Sequence, residues 1–320
     1  MGFFYPEWPS IVRIDVTNPP VTTGYQVKVE IPWQPGMRDN FSDLRFSDYF
    51  RTLPYWIETH TARTTATIWV QCTETGEAAR EYFCYYGNGG ASSESDGGAV
   101  FDFFDDFLGT SLDTNKWTTS GGTVSVSDSI VTITTGGYIQ TKSTFPLNST
   151  LEARHKFTAT GADAIGFWDN GGNSAMWYSD GATNLIYMMK AGATSTPATN
   201  GLRGEFYNFK IKWASDQVRF YQNDVEFSNS PFTTTANIPI ISLPIQLRAG
   251  GTTKYNYADW LAIRKYQSTE PVCTPAESGI NTAFYQGYLR AKGLITAAAG
   301  ITLTAIQHLT HIDLSWSEVG

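Results

Sequence analysis

Two carboxylates spaced i, i+2 on a β-strand project from one face. That arrangement can pair a general acid with a nucleophile or base across a glycosidic bond. Between residues 101 and 268 the one such pair on a stretch with strand character is Asp224 and Glu226. Asp224 falls in Gln222-Asn-Asp224, which reads as a tight hairpin turn. Glu152, Glu205 and Glu226 are otherwise isolated, so hydrolysis would need carboxylates gathered from separate strands. His60, His155, His308 and His311 form no Ser-His-Asp order, and no Cys/His spacing reads as a zinc site. The Gly-rich stretch 87–98 is not followed by a capped helix with a lysine, so it reads as a linker and not a phosphate loop.

Binding is better represented than catalysis. Trp168, Asp169, Asn170, Asn173, Trp177, Tyr178 and Tyr187 cluster in one stretch. Sugar rings stack on aromatic faces, and their hydroxyls need planar polar partners, so this composition suits a glycan groove. The competing reading sends half of these rings into a core. Because strand side chains alternate, Phe167 and Trp168 must face opposite ways, and at least one is not core-facing.

Such residues need sheets to carry them. Apolar residues make up 41% and charged residues 16% of the 320-residue chain, with ten Trp, which is ample for two β-rich cores and excludes a disordered chain. Ile11–Val16, Tyr25–Ile31, Ala66–Val70 and Tyr82–Tyr86 show strand patterning, as do Ile130–Thr134, Leu151–Phe157, Phe206–Trp213 and Ile245–Arg248. So many short strands separated by Gly/Asn/Asp turns predict packed antiparallel sheets. The net charge of −8 and the lack of any basic run exclude nucleic acid as a partner. The first residues lack the basic and apolar regions of a secretory signal, and no stretch reads as a membrane span. Cys72 and Cys84 flank a segment with hairpin character. They form either a cross-strand disulfide or two reduced, half-buried thiols, and Cys273 is left over.

Three segments emerge. In residues 1–100, Phe41-Ser-Asp-Leu-Arg-Phe-Ser-Asp48, Leu53-Pro-Tyr-Trp-Ile-Glu58, Ile68-Trp-Val70 and Tyr85-Tyr-Gly-Asn88 resemble the family named domain of unknown function 2341. That resemblance implies a small β-sandwich and no catalytic residues. Residues 101–268 open with Phe104-Asp-Asp-Phe-Leu-Gly-Thr-Ser-Leu-Asp-Thr-Asn-Lys-Trp117 and close with Tyr257-Ala-Asp-Trp-Leu-Ala-Ile-Arg-Lys-Tyr266. These resemble the first and last strands of concanavalin A-like lectin/glucanase domains, the jelly roll of family 16 glycoside hydrolases. The resemblance implies an all-β sandwich. It also implies a calcium ion stapling the first strand to the last, at positions matching Asp106, Gly109 and Asp259. Family 16 enzymes carry Glu-x-Asp-x-Glu on one strand, and this sequence has no such triplet.

In residues 269–320, Thr274-Pro-Ala-Glu277 reads as a capping box, predicting a helix over 275–292 with Ile280, Phe284 and Tyr288 on its apolar stripe. Ile301 and Leu303 lie in one following strand pattern and Trp316 in another, and Gly293–Ile312 carries no formal charge. This segment is expected to make the main contact of a homo-oligomer or with other particle proteins. The expected whole is a non-enzymatic virion surface protein of decoration, spike or tail-fibre type, touching host glycans. The alternatives are a prokaryotic cell-surface adhesin and a jelly-roll glycosidase.

Overall fold

Alternation of apolar and polar residues fixes most of the strands. Val12, Ile14 and Val16 are buried along β1 (Ser10–Thr17) while Arg13 is exposed, and Val27, Val29 and Ile31 are buried along β2 (Tyr25–Pro32). The computed structural model describes residues 5, 7–158, 162–179, 185–189, 194–198, 201–227, 230–250 and 255–280. Within these the chain is all-β apart from one four-residue α-helix, α1 (Gly97–Val100), and two 3-10 turns.

One compact unit comprises the described residues up to Val100 together with Thr269–Ile280. Its further strands are β3 (Arg45–Ser47), β4 (Thr52–Leu53), β5 (Tyr55–Thr61), β6 (Thr65–Cys72), β7 (Glu81–Tyr86) and β23 (Val272–Ile280). They form a five-stranded sheet, β23-β1-β7-β3-β4, and a three-stranded sheet, β2-β6-β5. Tyr25, Phe41, Phe46, Ile68 and Tyr82 share the core between them. The buried polar residues of the Phe41–Asp48 motif hold loops. Asp43 accepts from the backbone N–H of Arg38 and Gly87, and Asp48 from Phe50, Arg51 and the Thr73 hydroxyl. Each carboxylate replaces water at backbone donors that burial would leave unpaired.

Two expectations are corrected here. Cys72 and Cys84 do not face each other across a hairpin. A 3-10 turn at Gly76–Ala79 carries the chain from the three-stranded to the five-stranded sheet, and both thiols are free and buried. The helix expected from residue 275 is a strand over its first residues. β23 runs antiparallel to β1, with Thr17 opposite Val272 and Ser10 opposite Ile280. The capping-box signal is local, whereas β1 offers an unpaired edge, and ladder hydrogen bonds override propensity. Pro275 is tolerated because β23 is itself the sheet edge, and the register shifts next to it. Phe284, Tyr288, Ile301, Leu303 and Trp316 lie outside the described residues, as does the Ile280 side chain.

The second unit, Phe101–Ser268, is a two-sheet sandwich. Its strands are β8 (Phe103–Asp105), β9 (Trp117–Ser120), β10 (Val124–Ser127), β11 (Ile130–Thr134), β12 (Tyr138–Thr141), β13 (Ser149–Phe157), β14 (Ala162–Trp168), β15 (Ser174–Ser179), β16 (Leu185–Met189), β17 (Thr194–Ala198), β18 (Tyr207–Trp213), β19 (Val218–Gln222), β20 (Val225–Glu226), β21 (Ile245–Gly250) and β22 (Tyr255–Lys265). The back sheet runs β10-β11-β22-β13-β18-β19-β20 with β8 also on β22, and the front sheet runs β17-β16-β15-β14-β21-β12-β9. Trp117, Phe157, Phe167, Trp177, Trp213 and Phe220 are among the residues filling the space between them.

The opening and closing motifs meet, with Phe103–Asp105 of β8 pairing Leu261–Ile263 of β22. Asp105 locks the entry by accepting from the Trp117 indole N–H at 2.6 Å and from the Phe107 backbone N–H at 2.9 Å. Asn223 and Asp224 both have positive φ, as a type I′ hairpin turn requires.

A polar contact joins the two sheets through the core. The Asn256 amide of β22 donates to the backbone carbonyls of Ala164 and Arg248 in the front sheet, and its oxygen lies 2.9 Å from His155 Nε2. Burial pushes the His155 pKa down to about 4, against the raising effect of the Asn256 contact, so the ring is neutral at pH 7. Because the folded pKa lies below the unfolded one, stability is unaffected above the ordinary histidine pKa. It falls as the pH drops towards 4, since only the unfolded chain then takes up the proton. This group is expected to contribute a loss of about 3 kcal/mol over that window. Urea titrations from pH 7 to pH 4.5 should show the slope, and His155→Gln should flatten it. An unchanged slope in the variant would contradict the assignment.

Candidate functional site

The inner residues of the front sheet, Ile139, Ile165, Phe167, Ala175, Trp177, Ile245 and Leu247, belong to the core. Strand alternation therefore puts Gln140, Gly166, Trp168, Met176, Tyr178, Gln246 and Arg248 on its outer face. The ladder brings these together from four strands. Gln246 lies opposite both Gln140 and Gly166, and Gly166 lies opposite Met176.

Gly166 leaves the floor of this face without a side chain. A Cβ there would sit 2.5 Å from the Met176 Cα and 2.6 Å from the Ala175 carbonyl oxygen, so the close approach of β15 demands glycine. Beside it the Gln246 amide nitrogen donates to the Gln140 oxygen at 3.1 Å, and Asn170 donates to the same oxygen at 3.4 Å. Gln246 is 1% exposed, and its own oxygen is buried without a hydrogen-bond partner among the described residues. The half-buried Trp168 has the Arg248 guanidinium 5.2 Å from its ring centroid. An aromatic face, an arginine and two amides thus surround a strip of backbone that carries no side chain at Gly166 and is itself buried.

The residues expected to bind glycan divide by strand parity. Trp168 and Tyr178 are on the outer face. Trp177 is not; it is 0% exposed and packs edge-on against Phe209, Phe220 and Phe227, so its assignment to a glycan site is corrected to core. Asp169 and Asn173 close the β14–β15 connection. Asp169 accepts from the Gly171 and Asn173 backbone N–H and from the Asn173 amide. Burial raises its carboxyl pKa, but those donors outweigh it and hold the group below the usual range. Tyr187 lies opposite Trp177 in the β15–β16 ladder, and its side chain is outside the described residues. Gln140, Gln246 and Arg248 were missed because they come from β12 and β21, far from the aromatic stretch. The polar–apolar alternation of Gln246-Leu-Arg248 was their one local signal.

Of the calcium positions, Asp259 pairs with Arg154 at 2.9 Å. Its pKa is raised by burial and by Asp106, against the lowering effect of Arg154, while burial raises that of Asp106. The structure thus brings Asp106 and Asp259 into electrostatic reach, with an arginine as counter-ion. Among the described residues no group of three or more His, Cys, Asp or Glu side chains could hold a metal. The Asp224/Glu226 pair is spent in ion pairs with Lys210 at 2.6 Å and Arg219 at 2.8 Å. On the described front-sheet strands Asp163 is the one carboxylate, and its parity with Ile165 and Phe167 turns it inward.

Residues 40–120 match the family described as Domain of unknown function (DUF2341). The matched stretch carries the Phe41–Asp48 motif and runs on into the opening motif of the second unit. Comparison with curated proteins finds no match. Among solved structures the chain is similar to a pseudo β-1,3-glucanase and immunostimulatory antigen of Mycobacterium tuberculosis. That likeness has 17% identity and a TM-score of 0.43, and covers 52% of this chain and 99% of the other. It is similar also to an endo-β-1,3-glucanase from Pyrococcus furiosus, at 13% identity and a TM-score of 0.43, covering 53% and 95%. A third likeness is to a structure from work on endo-acting O-glycanases of the human gut microbiota, at 14% identity and a TM-score of 0.42, covering 52% and 100%. The expectation of a protein without enzymatic activity is corrected by these likenesses, which run to glucanases and O-glycanases, and it is withdrawn.

Proposed function

We propose that the second unit binds a carbohydrate chain across the outer face of its front sheet. The observation that supports this most is the buried, unpartnered Gln246 oxygen beside the side-chain-free strip at Gly166, with Trp168 alongside. A buried acceptor left unpaired costs stability, and a sugar hydroxyl is a donor of the right size to satisfy it. Trp168 supplies an aromatic surface for the ring C–H face. A hydrolytic role at this face would draw on Asp169 or on residues outside the described set. The setting we place it in is a displayed surface, on a virion or a cell envelope, where a glycan-engaging domain meets its ligand.

The test is a panel of immobilised polysaccharides probed with the intact chain, Trp168→Ala and Gln246→Leu. Retention of at least one polymer, weakened about tenfold or more in either variant, is the expected outcome. Retention unchanged by both substitutions would overturn the placement. Reducing-sugar release measured on the same panel reports turnover.

A further inference from the structure

The glycan face has a charge preference that the aromatic stretch does not reveal. Arg248 is half-buried, and its guanidinium lies over Trp168. Among the described residues it has no ion pair, whereas Arg154, Arg219 and Arg264 each pair with a carboxylate. The described strands of the front sheet direct no carboxylate to this face, and the carboxylate at its rim, Asp169, is bound to Gly171 and Asn173. The carbonyl of Arg248 is fixed from beneath by the Asn256 amide at 3.0 Å, which holds the backbone that presents the side chain.

From this we infer that the ligand is an acidic glycan, whose carboxylate or sulfate ester pairs with Arg248 while a neighbouring hydroxyl donates to the Gln246 oxygen. This rests on the reading of the face as a glycan site. A guanidinium presents donors in a planar fork that fits carboxylate and sulfate oxygens, and stacking on an indole orients it without using those donors. The low dielectric of a half-buried site strengthens the pair relative to one in bulk water. The chain as a whole carries a net charge of −8, so general attraction of polyanions does not explain such binding, and the preference has to come from the local cation. Carboxylate and sulfate are the two sources of the same chemistry.

Affinity electrophoresis of the full chain through polygalacturonate, a sulfated galactan and neutral laminarin separates the possibilities, with Arg248→Gln and Trp168→Ala run beside it. The expected result is retardation by at least one of the two acidic polymers over laminarin. That retardation should weaken about tenfold in Arg248→Gln and fall in added salt. The polymer that retards identifies the anionic group. Retardation by laminarin that Trp168→Ala abolishes and Arg248→Gln leaves unchanged would overturn the charge preference and keep the glycan site. Retardation by none of the three would overturn both. Matching circular dichroism and melting of Arg248→Gln and the parent chain assigns the loss to the site and not to folding.

Discussion

Ending the chain at Glu270 is expected to destabilise the first unit by several kcal/mol, while ending it at Ile280 leaves that unit intact. The difference between the two truncations is β23, which pairs with β1 from Thr17 to Ser10 and brings Cys273 against the core. Removing it strips a row of ladder hydrogen bonds, each worth roughly 1 kcal/mol net, and uncovers the edge of β1. A loss of about 3–5 kcal/mol in a unit of this size corresponds to a fall of roughly 15 °C or more in its melting transition. Glu270, which accepts from the Tyr25 hydroxyl at 2.5 Å, is kept in both, so that contact does not confound the comparison. Differential scanning calorimetry of the two truncations makes the measurement. Equal melting would mean that β23 adds nothing to the first unit. The subunit contact expected of residues 269–320 is tested for its part beyond β23 by light scattering on the Ile280 truncation and the full chain.

The second large effect is expected at Glu152. Its Oε1 accepts from both Nε and Nη2 of Arg264, at 2.9 and 2.8 Å, and Lys210 Nζ lies 3.8 Å away. The Arg264 and Glu152 side chains are 1% and 5% exposed. Removing the carboxylate takes from a buried guanidinium the anion that accepts from both its Nε and Nη2. That costs about 3–5 kcal/mol, more than either charge contributes when paired, because the desolvation of the survivor is no longer offset. Urea unfolding of Glu152→Ala should show this loss. The double variant Glu152→Met with Arg264→Met should recover most of it, since no charge is then stranded. A double variant as unstable as the single one would show that packing, not the ion pair, sets the cost.

Much of the fold could be read from the sequence, and the reason lies in strand periodicity. Burial of Val12, Ile14 and Val16, or of Phe167 but not Trp168, follows from a period of two. The opening and closing motifs of the sandwich marked a real pairing because Asp105 and Trp117 act within one motif and β8 meets β22. The failures share a cause. The Cys72–Cys84 hairpin and the helix from residue 275 were local readings, and in each case a distant strand decided the outcome. Trp177 looked like a ligand residue because it neighbours Trp168 in sequence, yet one-residue spacing from Tyr178 put it on the other face of the sheet. Gln140, Gln246 and Arg248 meet only through sheet register, which no local window contains.

A second exposed aromatic surface gives the glycan reading a direct rival. On the back sheet Tyr255 and Tyr257 stack with ring centroids 6.0 Å apart, and Lys156 lies over Tyr257 and Phe206 at 5.3 and 5.9 Å. Hydrogen exchange of the full chain with and without a retained polysaccharide distinguishes the two faces. Slowed exchange in peptides spanning Tyr138–Thr141, Ala162–Trp168 and Ile245–Gly250, with Tyr255–Lys265 unchanged, is the predicted result. Protection confined to Tyr255–Lys265 and Ser149–Phe157 would place the ligand on the back sheet and contradict the assignment of the front face.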